Sequence, residues 1–499
     1  MTNNTKVKLT DLFYLRDEVR NKMSNKDDET IKGLVKELEN ELNAENEYIL
    51  EEKFFALNTL AKYFRKVKNY DKSANYSRQA INISKNISSE YMKVIIDTYL
   101  DYAELEREYG NYSNARIELA KLLALLDKSE FYDHFASGLI YYSLGNISLA
   151  EENMEGGLIQ LERALVNFQK ATHKRHPIIA QTIGVLTEAY IKVENYNKAL
   201  ELYQWLSDAY KQANDNLSEA RYLLKVGEVY FYIDLKEARR TTTNAIKLLE
   251  GIHNEKHLDI AKANLMLAEV DENIGNYPRS ITYYKRGLEQ LESFYPENHF
   301  MIVYVYSKIG TISIKSNELG QAKQYLEKGL TLSGSFPKIK LQFLYALGKI
   351  YSGEKQYDRA FNMFHEFLQR LEEDGRKDQV AYGNTLQAIA FNYLEQDKFE
   401  GAFDYYEKAK AIYEKLSNCR EELGLTLIRL AYCFENKKKQ DIEQAEKYYE
   451  KGFNLIEKIH EPGLLEEALA GIIDFYTRNK NAKKRRFYED KFVELQKER

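Results

Sequence analysis

A repeat of about 42 residues runs through most of this 499-residue chain. Each copy carries a small residue just after an aromatic turn, as Ser280 follows the turn GNYPR, and successive markers stand 38 to 43 residues apart. The markers are Ser73, Ala115, Gly157, Ala199, Ala238, Ser280, Ala322, Ala360, Ala402 and Ala445. A period of this length predicts one supersecondary unit that is copied about ten times, each copy packing on the next.

Each copy has two stretches with apolar residues at helical spacing, which predicts two antiparallel helices. An apolar–small pair such as Leu144-Gly145 lies in the first stretch, and an aromatic precedes a small residue in the second, as Tyr284 precedes Gly287. We expect the small residues to let the helices approach and the aromatics to fill the space between repeats. The turn sequences GNY, ENY and KNY fit a tight connection, because Gly and Asn tolerate unusual backbone angles. The chain has only five prolines, which also favours helices.

Two segments, LTEAYIKVENYNKALELY (186–203) and IAFNYLEQDKFEGAFDYYEKA (389–409), resemble the tetratricopeptide repeat. The longer unit here is similar to the repeats of kinesin light chains and related bacterial proteins, and the pair His176-Pro177 supports that likeness. The resemblance implies an all-α, right-handed superhelical α-solenoid of about ten helical hairpins. It also implies that the first helix of each hairpin lines a concave, partner-binding side.

Three regions are expected along the chain. Residues 1–45 are predicted to form an N-terminal helical cap, residues 46–460 the repeat array, and residues 461–499 a degenerate C-terminal capping hairpin. The two outer regions are needed because a terminal repeat would otherwise expose an apolar face.

Motifs for catalysis, cofactors or metals are not found in the sequence. There is no GxxxxGK[ST], GxGxxG, HExxH, CxxC or GxSxG, and we expect no cofactor. The spacings His173/His176 and His253/His257 could each hold a metal. However, His176, His257 and His299 fall at one phase of the repeat, which favours contacts in the loops between repeats. The sequence therefore favours a non-catalytic binding protein over an enzyme.

Charge and hydropathy limit the partners. A net charge of -5 argues against nucleic acid as a ligand, since proteins that bind it are usually basic. No apolar stretch is long enough to cross a membrane, and the N-terminus lacks an apolar signal core, so we expect a cytoplasmic protein without a membrane partner.

The register of the repeat predicts which side chains face the groove. If the apolar residue of each apolar–small pair is position seven, positions two, five, nine and twelve should face it. Position nine is glutamate in four of five successive repeats, which predicts an acidic row. The amides of Asn58, Asn146, Gln342, Asn384 and Gln387 could bond a partner's backbone. The predicted partner-binding residues are Glu104, Tyr142, Asn146, Glu188, Ile191, Leu224, Glu228, Phe231, Leu265, Glu269, Asn384 and Gln387.

The function predicted from these features is a non-catalytic scaffold or adaptor. It would bind a peptide or protein with basic and apolar side chains, unless the glutamates only pair with lysines on neighbouring helices. The alternative is a bacterial intracellular peptide-pheromone sensor of the Rap kind, in which a helical-repeat groove closes on a short peptide. A sensor should become more compact when its peptide binds, whereas an adaptor need not.

Overall fold

The computed structural model describes residues 14–22, 29–43, 48–128, 133–253, 256–459 and 462–497. These residues form 24 α-helices and one 3-10 helix, and no strand occurs among them. The chain divides into two compact units, Met1–Asn254 and Glu255–Arg499. The predicted all-α fold of helical hairpins is therefore confirmed.

The first unit contains two helices followed by five hairpins in its described residues. Helix α1 (14–22) and helix α2 (Glu29–Asn43) lie in the region predicted as an N-terminal cap, whose residues 1–13, 23–28 and 44–45 lie outside the described residues. The hairpin helices are α3 (Leu50–Lys66), α4 (Tyr70–Ser84), α5 (Met92–Glu108), α6 (Tyr112–Lys128), α7 (His134–Ala150), α8 (Met154–Ala171), α9 (Pro177–Lys192), α10 (Tyr196–Gln212), α11 (Asn216–Tyr230) and α12 (Leu235–Ile252). The 3-10 helix (Ser89–Tyr91) precedes α5.

The second unit contains six hairpins in its described residues. Their helices are α13 (Leu258–Ile274), α14 (Tyr277–Leu291), α15 (Phe300–Lys315), α16 (Leu319–Leu332), α17 (Pro337–Gly353), α18 (Tyr357–Glu373), α19 (Val380–Leu394), α20 (Phe399–Tyr413), α21 (Arg420–Asn436), α22 (Ile442–Glu457), α23 (Pro462–Arg478) and α24 (Ala482–Lys497). The odd-numbered helix is the first helix of each hairpin and the even-numbered helix is the second. None of the helices in the described parts of either unit is long and apolar enough to span a membrane.

The ten marker residues all lie in second helices and are all buried. Two of them are serines, and their hydroxyls bond to the facing first helix. Ser73 Oγ donates to the Ala61 carbonyl at 2.8 Å, and Ser280 Oγ donates to the Ala268 carbonyl at 2.7 Å. A larger side chain at either position would force the two helices of the hairpin apart. The expected role of the small residues, close approach of paired helices, is thus what the structure shows.

Two consecutive residues of the turn inside a hairpin have different backbone conformations. The residue before the asparagine position adopts a left-handed conformation: Gly110 has φ 76°, Gly275 has φ 84° and Glu152 has φ 62°. The asparagine itself has an ordinary φ, as Asn153 does at -83°, and its Oδ1 accepts a hydrogen bond from Gly156 N at 2.9 Å. The expectation that Gly and Asn take unusual angles is confirmed one position before the cap, where Asn317 also has φ 59°. The asparagine of the KNY and ENY turns, Asn69 or Asn195, has an ordinary φ because it stands at the N-cap of the second helix.

Candidate functional site

The predicted site residues lie on first helices, with Phe231 just after the end of α11. They fall in both units, so each group is described separately. Within the first unit, α5, α7, α9 and α11 carry Glu104, Tyr142, Asn146, Glu188, Ile191, Leu224 and Glu228. Within the second unit, α13 and α19 carry Leu265, Glu269, Asn384 and Gln387.

Two glutamates of the predicted acidic row in the first unit have a basic partner one turn away. Glu104 pairs with Arg107 at 2.6 Å, and Glu228 pairs with Lys225 at 2.7 Å. Burial alone would lower the pKa of Lys225, but its hydrogen bond to Glu228 and the nearby negative charge of Glu188 raise it. Exposed Glu188 has no ion pair among the described residues. The row is therefore less negative than its sequence suggests, because pairs within one helix neutralise part of it.

The other predicted site residues of the first unit differ in the exposed fraction of their side chains. Tyr142 is half-buried, and its hydroxyl accepts a hydrogen bond from Gln181 Nε2 at 3.0 Å. Three others are also half-buried, namely Asn146, Ile191 and Phe231. Leu224 is only 8% exposed, so it contributes to packing more than to a binding surface. Asn58, one of the proposed backbone-binding amides, is buried as well.

In the second unit, the two predicted residues of α13 already have partners. Leu265 is 7% exposed, and its Cδ2 atom lies 2.7 Å from the position that a Cβ on Gly287 would occupy. The leucine therefore fills the space that the glycine of α14 leaves open. Glu269 accepts a hydrogen bond from the Tyr304 hydroxyl at 3.0 Å, which ties α13 to α15.

Two adjoining cavities lie along α17, α19 and α21. The α17–α19 cavity has a volume of about 910 Å³, and the α19–α21 cavity has a volume of about 610 Å³. Tyr345 and Asn384 line both cavities, so the two form one continuous surface, which we call the first-helix groove. A groove of this size accommodates several peptide side chains.

Three amide side chains of this groove are held at one end and open at the other. Gln342 Oε1 accepts from Ser307 at 2.9 Å, and Asn384 Oδ1 accepts from Tyr413 at 2.6 Å. Their NH₂ groups have no hydrogen-bond acceptor within residues 256–459. Gln387 is held the other way round, since its Nε2 donates to Thr426 at 3.1 Å and its oxygen is open. The groove thus presents two oriented donors and one oriented acceptor.

Apolar and aromatic side chains form the floor of the groove. Phe367 and Leu371 of α18 lie under the α17–α19 cavity, and Phe391 of α19, 40% exposed, lines the α19–α21 cavity. Tyr345 stands between them, and burial raises the pKa of its phenol, which keeps the hydroxyl protonated. Such a floor favours apolar side chains of a partner.

The repeat register identifies most of the first-helix lining, although the predicted site set contained only Asn384 and Gln387 of it. With Leu347 as position seven of α17, positions two, five, nine and twelve are Gln342, Tyr345, Lys349 and Ser352, and all four line the groove. The second-helix residues of the floor could not be found in this way, because the register was applied to first helices alone.

The three histidines at one phase are helix caps. The ring nitrogen Nδ1 accepts from the backbone N–H two residues ahead in each case: His176 at 3.3 Å, His257 at 3.1 Å and His299 at 3.3 Å. This local role explains their shared phase at the start of α9, α13 and α15. Within the described residues, no group of three or more His, Cys, Asp or Glu side chains is arranged to hold a metal.

Both cysteines are buried and free. Burial raises the pKa of Cys433 to about 12, so its thiol stays protonated at neutral pH. Cys419 precedes α21 and is 2% exposed, and burial raises its pKa as well. Neither thiol has the lowered pKa and exposure that a nucleophile needs.

Comparison with known proteins supports the repeat assignment. Two tetratricopeptide-repeat family models match, at residues 303–336 and residues 341–415. Kinesin light chain-related protein 3 of Arabidopsis thaliana is 24% identical over 212 residues, which cover 41% of this chain and 32% of that protein. Kinesin light chain-related protein 2 of the same plant is 23% identical over 322 residues, which cover 62% and 45%. The chain thus spans less than half the length of these relatives.

Among solved structures, the apo form of RapI is similar with a TM-score of 0.46 and 14% identity, covering 73% of this chain and 98% of that one. The buried small markers, the helical hairpins and the two matching family models all agree on one assignment. They indicate a helical-repeat chain with tetratricopeptide repeats at residues 303–336 and 341–415, similar over part of its length to the kinesin light chain-related proteins.

Proposed function

We propose that the chain is a non-catalytic scaffold that binds an extended peptide segment of a partner protein in the first-helix groove. The observation that carries this proposal is the set of three half-anchored amides. One polar atom of each amide forms a hydrogen bond with a neighbouring residue, and the other polar atom is open over a cavity. The three amides are those of Gln342, Asn384 and Gln387.

The open ends match what an extended backbone offers. A peptide presents N–H donors and C=O acceptors that lose water on binding, so fixed amides are suitable partners for any sequence. Each such hydrogen bond contributes about 0.5–1.5 kcal/mol net. The anchors reduce the entropy lost on binding, because Tyr413 and Ser307 already hold two of the three amides in place. The apolar floor then adds affinity through side-chain burial.

The experiment selects peptides from a displayed random library on the full chain and measures their affinity for variants. Asn384→Asp and Gln342→Glu keep the oxygens that accept from Tyr413 and Ser307 but remove the open NH₂ donors. We expect each variant to weaken binding by about fivefold, the equivalent of one lost hydrogen bond.

Gln324→Glu is the matched control, since Gln324 is exposed on α16 outside both cavities and the chemical change is the same. The proposal fails if no peptide is selected, or if selected peptides bind the groove variants and the control equally well. Small-angle scattering on the complex then separates the two kinds of function: compaction on binding indicates a sensor, and an unchanged radius of gyration indicates an adaptor.

A second surface for a basic and apolar partner is proposed on the first helices of the first unit. Exposed Glu188 and Glu228, with half-buried Ile191 and Phe231, support it. Glu188→Gln with Glu228→Gln should weaken binding of a basic peptide there. Glu269→Gln tests separately whether the predicted glutamate of α13, in the second unit, contributes to binding a basic peptide, and unchanged affinity in both variants removes the acidic row as a binding site.

A further inference from the structure

The two ends of the first-helix groove carry opposite charge. At the mouth of the α17–α19 cavity, Lys338 and Arg376 face a single carboxylate, Asp374. Lys338 is exposed, and Arg376 Nε donates to the neutral Gln379 Oε1 at 2.8 Å. No ion pair to either cation occurs within residues 256–459, so this end keeps a positive excess.

The α19–α21 cavity has the opposite balance. Its rim holds Glu421, Glu422 and Glu467 against Lys349 and Arg429. Arg429 forms an ion pair with Glu467, which removes one charge of each sign. Glu421 and Glu422 have no ion pair among the described residues and stand at the start of α21, so this end keeps a negative excess.

We infer that the groove takes a dipolar peptide segment, with an acidic residue at the Lys338 and Arg376 end and a basic residue at the Glu421 and Glu422 end. This inference rests on the proposed function, since it assigns the charge pattern of the peptide that the amides hold. Apolar side chains between the two charges occupy the cavities. Complementary rim charges contribute to selectivity and to the association rate more than to affinity.

The two charged sets lie at corresponding ends of two first helices. Lys338 is the second residue of α17, and Glu421 is the second residue of α21. The charge difference therefore runs across α17, α19 and α21 and not along the axis of one helix. A peptide that reaches both charged sets has to cross α19.

The test compares three short, terminally blocked peptides with the same apolar centre and different ends. One is acidic at one end and basic at the other, one is acidic at both ends, and one is basic at both ends. The full chain should prefer the dipolar peptide by about fivefold at low salt, the range of one exposed ion pair, and the preference should shrink at high salt.

Two charge reversals make the test independent of the direction in which a peptide lies. Lys338→Glu with Arg376→Glu should transfer the preference to the dibasic peptide, and Glu421→Lys with Glu422→Lys should transfer it to the diacidic peptide. Lys447→Glu, a reversal of an exposed residue on α22 outside both cavities, should leave the order unchanged.

The charge pattern would be overturned if all three peptides bound with equal affinity while Asn384→Asp still weakened their binding. That result would leave the proposed binding by the amides unaffected. Absence of binding by every peptide, together with failure of the display selection, would instead overturn the proposed function itself.

Discussion

Glycines at helix crossings determine how closely two helices of a hairpin pack. A Cβ atom on Gly145 of α7 would lie 2.5 Å from Leu161 Cγ and 3.3 Å from the Gly157 carbonyl oxygen. Gly157 is itself one of the ten markers, so two glycines face each other at this crossing. The contact distance leaves no room for a methyl group unless α7 and α8 move apart.

Gly145→Ala should therefore destabilise the first unit by about 1–3 kcal/mol, the usual cost of overpacking a core. Gly184→Ala on α9 is the matched change, because nothing lies within 4 Å of a Cβ there. It should be neutral or stabilising by up to about 1 kcal/mol, since alanine favours a helix interior more than glycine does. Urea unfolding followed by circular dichroism measures both. Equal effects of the two substitutions would contradict the close-approach explanation.

The capping histidines have one role that their sequence phase predicts and one that it does not. His176 contacts Phe135 of the preceding repeat, as expected, whereas its capping of α9 is seen only in the structure. Their phase is visible in the sequence, but the acceptor role of Nδ1 depends on side-chain rotamers that only the structure supplies. His299 also stacks on Tyr295, with ring centroids 3.9 Å apart. The cap and the stacking are separable, because asparagine caps a helix as well as any residue but has no ring.

His299→Ala should lower the stability of the second unit by about 0.5–2 kcal/mol through loss of the cap on α15. His299→Asn should recover most of that loss, and thermal denaturation of the two variants beside the unmodified chain measures it. If the asparagine variant were as unstable as the alanine variant, stacking on Tyr295 rather than capping would be the main contribution of this histidine.

At the scale of helices, one carboxylate links consecutive first helices of the second unit. Glu272 of α13 is 13% exposed and pairs with two lysines of α15, Lys308 at 3.0 Å and Lys315 at 3.2 Å. Burial alone would raise its pKa, but the hydrogen bonds and charges of the two lysines outweigh burial and lower the pKa below the ordinary 4.5. The unfolded chain therefore binds this proton more readily than the folded chain does.

The sign of the pH dependence follows from that difference. A lowered folded-state pKa stabilises the protein above the unfolded pKa, and the stabilisation is lost as pH falls through the folded pKa. Glu272→Gln should therefore be less stable than the unmodified chain at pH 7, and the difference in stability should shrink as the pH falls below the ordinary value of 4.5 and through the lower folded-state pKa. Urea midpoints across this range measure it. Glu395→Gln, a change at an exposed carboxylate without an ion pair among the described residues, should show no such shrinking difference.

At the scale of the whole chain, the period predicts the hairpins and the direction of side chains, but it does not predict their exposure. Leu224, Leu265, Tyr345 and Gln387 all occupy position five of their repeats. The two leucines are buried at 8% and 7% exposure, whereas Tyr345 and Gln387 line an open groove. Exposure depends on what the neighbouring helices leave empty, as Gly287 does for Leu265. That information lies in pairs of distant residues and not in the register of one repeat.

Hydrogen exchange on the whole chain can decide between the two proposed binding surfaces. In a repeat protein each hairpin is stabilised mainly by its immediate neighbours, so a bound ligand protects the helices it touches and those next to them. A selected peptide at one hundred times its dissociation constant should slow the opening of those helices by about one hundredfold. If the first-helix groove binds it, α17, α19 and α21 become protected while α7, α9 and α11 exchange as before. Protection confined to α7, α9 and α11 would instead assign binding to the surface around Glu188 and Glu228. The Asn384→Asp chain at the same peptide concentration serves as the control, because fivefold weaker binding should reduce the protection of α17, α19 and α21 from about one hundredfold to about twentyfold without any change in the first unit.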